Sequence, residues 1–351
     1  MTALDKSSKG EKTMELTNKL RSLRTSRGIT QEALASAMGV TAQAVSKWER
    51  GTTMPDVSLL PELAVYFGVS LDELFGLTEE KEFDRIQNVI WDKRLLSHDE
   101  FDQAERWIDE KIASGYRVSE CHGLKADLYN HQADFLKEAA AEEAKAALDA
   151  DPDNREALSE LNGAMGGFIP DWCVRNHYKL IEYLQDFVKK HPENRSAYMW
   201  LIDNLLDDRR FSEAEAAFEG LAKADDTYRT DFYRGLLLWY QGKADEAHEI
   251  WDKLPEEFPE EWLVYLSLAD VAVMELRYDD AVKSYRQALE HQASPKYVDS
   301  LESMAMIYEI QGKKAEAAKV LEEELELLAD EWDTTMGETA DRIRRWIKRL
   351  K

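Results

Sequence analysis

Thr30 to Gly51 reads TQEALASAMGVTAQAVSKWERG, and its periodicity predicts two short helices that meet at a sharp turn. Leu34, Ala35 and Met38 stand at i, i+1 and i+4 and make one apolar stripe on the first helix. Gly39 supplies the positive φ that ends a helix abruptly. Thr41 is a good N-cap for the second helix, whose Val45 and Trp48 fall three apart on a buried face. The small Ala35 lets the two helices cross closely. Ala42, Gln43, Ser46, Lys47 and Arg50 remain on the outer side of the second helix. These are short, or amide and cationic, side chains suited to lying in a groove and hydrogen-bonding what they meet there.

Both flanks continue the pattern. LTNKLRSLRTSRGIT (Leu16 to Thr30) predicts a helix that starts near Met14, buries Leu16, Leu20 and Leu23, and ends at Gly28. Beyond the pair, Gly51 to Pro55 form a loop, and Asp56 is expected to cap a helix carrying Leu60, Leu63, Ala64 and Phe67. Gly68 closes that helix. Ser70 opens a last short one, SLDELFG, returning Leu71, Leu74 and Phe75 to the core.

This layout resembles the helix-turn-helix of the phage-repressor and xenobiotic-response-element family of DNA-binding regulators. With Gln31 as first position, Ala35, Gly39, Val45 and Trp48 fall where that family has its small, turn and core residues. The resemblance covers about 61 residues, Leu16 to Gly76. The bland alternative is an αα-hairpin of no special purpose, and spacing, flanks and exposed face together weigh against it. By resemblance, Gln31 holds a backbone phosphate with the free amides of its helix end. Thr41 and Ala42 open the recognition helix, with Ser46 on the same face. Gln43 is placed to pair with adenine and Lys47 to donate to guanine. Arg50 and Thr52, with Thr53, track the backbone. One departure matters: Ala42 and Ala44 stand where family members often carry longer polar side chains, so the operator is not legible from this helix.

Bulk properties set the frame. A chain of 351 residues fits two or three domains. It is 44% apolar and 33% charged, with little strand-like alternation, so the expected class is all-α. The net charge is −25, yet Met1 to Leu77 hold nine Lys/Arg against nine Asp/Glu. The excess negative charge therefore lies entirely beyond the DNA reader and would be repelled by phosphate. Basic residues gather on the first helix, at Lys19, Arg21, Arg24 and Arg27. Cys121 and Cys173 are too few for a disulfide framework and suit a reducing interior. No apolar run reaches the ~18 residues that span a bilayer. The start, MTALDKSSKGEKT, is polar, lacks the core of a signal peptide and reads as a mobile tail, so a cytoplasmic protein is expected.

A polar joint at Thr78-Glu79-Glu80-Lys81 marks the expected domain boundary, and self-similarity begins after it. FSEAEAAF (Phe211 to Phe218), KADEAHEIW (Lys243 to Trp251), YDDAVKSY (Tyr278 to Tyr285) and KKAEAAKVL (Lys313 to Leu321) align. Each pairs an alanine with a large apolar residue four later: Ala214/Phe218, Ala247/Trp251, Ala281/Tyr285 and Ala317/Leu321. The alanines are 33, 34 and 36 residues apart, the period of a two-helix solenoid repeat. Gly235, Ala269 and Ala305 stand twelve residues before three of them, as small residues that let paired helices pack closely. This resembles the tetratricopeptide repeat, with Pro259 expected where a second helix ends.

Upstream the register is fainter. Pro152 and Pro192 close segments that look like repeat ends but lie 40 apart, which implies an expanded repeat around GAMGGFIPDW (Gly163 to Trp172). Asp102, Gln103, Ala104 and Ile108 hint at a further repeat starting near Asp84. Nine of the ten tryptophans lie beyond the joint, where most are expected to be core wedges. In ETADRIRRWIKRLK, the face of Ile343, Trp346, Ile347 and Leu350 reads as a cap over the last repeat. A dimerisation helix or a second basic contact stays open. The expected organisation is a tail (1–13), a reader (14–77), a solenoid (82–330) and a capping helix (331–351).

No catalytic constellation, cofactor motif or metal module stands out. Cys173 and His177 are spaced i, i+4 and Cys121 precedes His122, but neither pair has the company of a zinc site. GAMGG lacks the lysine and strand context of a phosphate loop. The solenoid is either a structural array that spaces or dimerises the reader, or a concave groove for a peptide or protein partner. On the second reading the inner face includes Met199, Asp203, Phe232, Trp239, Leu266 and Asp270, suited to a ligand with apolar and basic side chains. Regulators joining such a reader to tetratricopeptide repeats resemble the peptide-pheromone sensors of Gram-positive bacteria. The expected function is a sequence-specific, homodimeric transcription regulator, not an enzyme, with duplex DNA and a peptide or protein effector as partners. The alternative is a solenoid scaffold merely anchored by its DNA-binding domain.

Overall fold

The computed structural model describes residues 16–75 and 79–351. The expected tail, the helix start near Met14, Gly76, Leu77 and the Thr78 of the joint lie outside the described residues. All regular structure in those residues is helical, apart from turns and loops. The chain divides into two compact units, one made of residues up to 91 with 96–129, the other of 92–95 with 130–351.

The first unit begins with α1 (residues 16–26), α2 (Gln31–Ala37), α3 (Ala42–Trp48), α4 (Leu60–Tyr66) and α5 (Leu71–Leu74). One core joins them: Leu16 and Leu20 from α1, Leu34 and Ala35 from α2, Val45 and Trp48 from α3, Leu60 and Leu63 from α4, Phe67 and Leu74. Asp56 does not cap α4 directly. Its Oδ1 accepts from the Ser58 amide at 2.9 Å and starts a 3-10 turn, Val57–Leu59, from which α4 continues with a proline in its first turn. Leu71 does not return to the core either: it faces solvent, and Leu74 and Phe75 pack inward alone.

Glu79 to Lys81 of the expected joint are the first turn of α6 (Glu79–Asp92), which is followed by α7 (His98–Ser114) and α8 (Val118–Ala150). Ser97 and Glu100 form a reciprocal capping box at the start of α7, satisfying two of the helix's orphan amides. Phe83, Ile86, Ile90, Ile108, Cys121, Leu124 and Leu128 build a second core there.

In the second unit the repeat register is realised as helix pairs. After α9 (Arg155–Ala164), α10 (Trp172–Arg175) and α11 (Tyr178–Lys190) come α12 (Arg195–Asp207) with α13 (Phe211–Ala224). Then follow α14 (Tyr228–Tyr240) with α15 (Ala244–Trp251), a single turn α16 (Leu254–Glu257), and α17 (Trp262–Met274) with α18 (Tyr278–His291). The run ends in α19 (Asp299–Ile310), α20 (Lys314–Trp332) and α21 (Glu338–Leu350). Ala214, Ala247, Ala281 and Ala317 are all fully buried, as their spacing demands. A Cβ on Gly235 would lie 2.2 Å from Nε1 of Trp251, and that indole cannot step aside cheaply, since Nε1 donates to the Phe232 carbonyl at 3.0 Å.

Three expectations are corrected here. Pro259 does not end the second helix of its repeat; α15 stops at Trp251, and Pro255 opens the separate turn α16. The tryptophans beyond residue 78 are not mostly core wedges: Trp251 is buried, Trp107, Trp239, Trp262 and Trp346 are half-buried, and Trp91, Trp172, Trp200 and Trp332 are exposed. An indole's bulk says nothing of which helix face it occupies, and several stand where the array leaves no neighbour. The basic side of α21 is also largely used within the chain. Arg342 pairs with Glu302, Arg349 with Glu309 and Lys351 with Glu322, while Ile343, Ile347 and Leu350 complete the core of the last repeat.

Candidate nucleic-acid interface

The helix pair is closed at its turn by two backbone bonds. The Gly39 amide donates to Ser36 and the Val40 amide to Ala35, with Gly39 at φ +64°. A side chain at that φ is strained, so the glycine fixes the angle between α2 and α3. The end of α3 repeats the device: Gly51 donates to Trp48 and Thr52 to Lys47. Each start is capped by threonine, Thr30 Oγ1 accepting from Ala33 and Thr41 Oγ1 from Ala44, both at 3.2 Å. Seven-residue helices are too short to stand alone; these caps and the Val45/Trp48 face hold α3 rigidly.

The carboxylate of Glu49 closes the structure from behind. It is buried, and it accepts from Arg24 Nε at 2.6 Å, Arg24 Nη2 at 2.9 Å and Gln31 Nε2 at 2.7 Å. Burial alone would raise its pKa, but the hydrogen bonds from Arg24 and Gln31 and the charge of Arg24 outweigh it and hold the carboxyl below its usual range. One ion pair thus ties α1, α2 and the end of α3 together. Two consequences revise the reading of the sequence. Arg24 turns inward, and Arg27 stacks on Phe67 and donates to its carbonyl, so the basic cluster of α1 is smaller than its composition implies. Gln31 spends an amide hydrogen on Glu49.

The remaining expected contacts are placed as follows. Thr41, Gln43, Lys47, Arg50 and Thr52 are exposed, and Ser46 is half-exposed. Ala42 is half-exposed like Ser46, one turn away, and together with Ala44 it packs partly against the core. Arg50 Nε donates to the Ser46 carbonyl at 3.1 Å, which lays its side chain along the helix. Gln43 and Lys47 make no side-chain hydrogen bond among the described residues. Thr41, Gln43, Ser46, Lys47 and Arg50 thus share one open surface, with Thr52 beyond it.

The array's expected inner-face residues sit on α12, α14 and α17. Met199, Phe232, Trp239 and Leu266 are partly buried against the repeat cores. Asp203 accepts from Tyr233 Oη at 3.0 Å; burial raises its pKa to about 6, a rise that this bond only partly offsets. Asp270 is raised by the same cause and accepts from Tyr285 Oη. Trp239 Nε1 donates to Glu275 at 2.9 Å, where His248 Nε2 also lies at 2.9 Å. Sequence reasoning missed Tyr233, Glu275 and His248 and took Tyr285 only for a core residue, because partners on different helices leave no local pattern. His177 approaches Asp207 and Asp208, not Cys173. Asp208 accepts from both the backbone amide and Nδ1 of His177, which ties the start of α11 to the end of α12.

Comparison with known proteins agrees with this geometry. A helix-turn-helix family model matches residues 20–74, and a tetratricopeptide-repeat model matches 181–229 and 275–331. The HTH-type transcriptional activator BcrR of Enterococcus faecalis is 43% identical over 63 residues, 18% of this chain and 31% of that protein. The chain therefore spans about a third of that activator's length. The uncharacterised HTH-type transcriptional regulator YgzD of Bacillus subtilis is 35% identical over 63 residues, 18% of this chain and 96% of the relative. The crystal structure of Bacillus thuringiensis PlcR, in complex with the peptide PapR7 and DNA, aligns over 96% of this chain and 99% of that one. Its identity is 10% and its TM-score 0.33, too loose to bear on function. Through its first 75 or so residues, where one regulator is matched over nearly its entire length, the chain belongs to the helix-turn-helix family of transcriptional regulators.

Proposed function

We propose that the chain is a sequence-specific DNA-binding transcription regulator that works in the cytoplasm as a homodimer and has no enzymatic activity. Gln43 and Lys47 read base edges in the major groove, with Thr41 and Ser46 beside them; Arg50 and Thr52 follow the phosphates. Gln31 acts mainly by holding Glu49, and touches phosphate only secondarily. The single observation that carries this reading is α3 itself. Its inner face is locked by Val45, Trp48 and the Arg24–Glu49 pair, while Gln43 and Lys47 stand outward without a side-chain partner among the described residues. Two such helices on a dimer meet half-sites ~34 Å apart.

The repeat array, from 82 to about 330 with its closing helix, receives a peptide or protein effector. Asp203 and Asp270, set among Met199, Phe232, Trp239 and Leu266, supply acceptors for a basic group next to apolar surface. The effector shifts DNA affinity by binding one of two states better than the other.

Selected-site sequencing with and without cell extract tests both parts. A defined motif is expected, with a changed yield when extract is present. Gln43→Ala and Lys47→Ala each relax one position of that motif, by about 1–3 kcal/mol of discrimination. An unchanged motif in both variants means that α3 is not the reader. Salt-sensitive binding without any motif favours a scaffold that uses DNA only as an anchor.

A further inference from the structure

The register of the array breaks between α9 and α12. Ala157 is the only buried residue of α9, and α10 buries none. Helix α11 carries two apolar stripes. Ile181, Leu184 and Val188 are buried in the core shared with α12. Leu180 and Tyr183, with the half-buried Phe187, stand at i, i+3 and i+7 on a second stripe that is largely open. Two stripes are what a helix inside an array needs, one for each neighbour. Here, among the described residues, no preceding helix packs closely on α11.

Other large apolar side chains stand exposed in the same stretch of chain. Phe168, Trp172, Val174, Tyr178, Leu180, Tyr183 and, on the adjoining α12, Trp200 are between 46% and 72% exposed. Trp172, Val174, Tyr178 and Leu180 line a cleft of about 650 Å³ together with Cys173 and His177. An aromatic side chain offers ~150–250 Å², so the five aromatics leave on the order of 600 Å² of ring surface in water. That alone matches the largest apolar patch of an ordinary monomer, roughly 300–600 Å². It also approaches the ~800 Å² that each partner gives to a standard interface.

Charge decides what covers it. Residues 155–200 hold six Lys/Arg and six Asp/Glu, in a chain whose net charge is −25. A basic peptide is drawn to the acidic surface elsewhere, whereas an identical copy is repelled everywhere except at a neutral face. A two-fold interface brings the same patch to itself. We infer that residues 158–200 form the homodimer surface, in which Tyr183 and Trp172 of one copy fill the place that no preceding helix takes against α11 in the other. This rests on the reading of the chain as a paired DNA reader.

Sedimentation of the full chain without DNA tests the surface by itself, while operator selection tests the reader, so each fails separately. The wild-type chain is expected at twice 40.4 kDa. The double variant Trp172→Glu, Tyr183→Glu is expected at 40.4 kDa, with a dissociation constant raised at least 100-fold and an unchanged helical spectrum. Trp332→Glu, an exposed tryptophan outside the patch, leaves the dimer intact. Should the double variant not fold, Cys173 of the wild type gives the answer. It is exposed and Cys121 is buried, so maleimide labelling of Cys173 should slow at least ~10-fold as concentration drives dimerisation by mass action. A double variant that folds and stays dimeric overturns the inference. So does a wild-type chain that remains monomeric on the order of 50 μM, where a standard interface is already paired, or a Cys173 shielded only when a basic peptide is added.

Discussion

Two regions of this molecule bury carboxyl groups, and they treat them in opposite ways. In the reader, Glu49 lies behind the recognition helix with Arg24 and Gln31 on its oxygens, and its pKa is held low. In the array, Asp203 and Asp270 have a tyrosine hydroxyl each and no cation among the described residues, and burial pushes both up. Glu324, wholly buried in the last repeat, is pushed up to about 8 by burial and by the neighbouring Glu302. A paired buried charge is a finished structural element. An unpaired one costs stability at neutral pH and is kept where a partner supplies the missing charge, which is why perturbed carboxyls gather at functional sites. The reader supplies its own cation to the buried carboxylate; the array gives Asp203 and Asp270 a hydroxyl alone among the described residues.

The largest effect is expected from breaking the paired side. Glu49→Ala leaves the Arg24 guanidinium buried without its acceptor, which costs about 3 kcal/mol or more. Hydrogen exchange should show the loss in α1 to α3, with the array untouched. The acid response carries the same sign. Glu49's folded pKa lies below its unfolded value, so its contribution is present above roughly pH 4.3 and disappears as pH falls through the lower folded value. If exchange in α3 does not accelerate below that pH in the wild type, the pair is not what holds the reader.

The unpaired side should respond in reverse. Asp203 has a folded pKa near 6 against an ordinary 3.8, so the folded array binds the extra proton between those values and loses stability as pH rises through them. Asp203→Asn keeps an acceptor for Tyr233 and removes the charge. Each pKa unit is worth about 1.4 kcal/mol, and discounting for partial exposure leaves a gain of about 1–2 kcal/mol at pH 7.5. Urea unfolding followed at α12 and α14 should show that gain, together with a flatter profile between pH 4 and 6. A destabilised variant would mean that the carboxylate is already paired, and the contrast between the two regions would dissolve.

How much of this was legible in the sequence follows from the range of each interaction. The cap at Thr41, the turn at Gly39 and the Val45/Trp48 face are each set by residues within about four positions, and all could be read directly. So could the alanines at 214, 247, 281 and 317, because repetition substitutes for missing long-range information. The Arg24–Glu49 pair could not: it spans 25 residues, and in sequence Arg24 looks like one more surface cation. Asp56 misled for a different reason, since a helix and a 3-10 turn begin with the same cap. Trp172 and Trp200 misled most. An indole's size does not say which side of its helix it occupies, and both stand on exposed sides.

Gln31 offers the smallest and most discriminating test. Family resemblance assigns it a backbone phosphate, whereas the structure sets its Nε2 2.7 Å from Glu49. A hydrogen bond to a charged group is worth about 1.5–3 kcal/mol when buried, and half-exposure of Gln31 brings the expected cost of Gln31→Ala to about 1 kcal/mol. If holding Glu49 is its main task, that loss appears in the free protein as a lower urea midpoint for the reader, and the salt dependence of operator binding keeps its slope. If it chiefly clamps phosphate, stability is unchanged and operator affinity falls alike at every site. Gln31→Glu separates the cases further. It faces Glu49 with a second carboxylate and should destabilise the reader more than alanine does, an effect that vanishes as acid protonates the pair. A glutamate variant as stable as wild type at pH 7.5 would place Gln31 outside the paired network and leave Arg24 as the sole support of the buried charge.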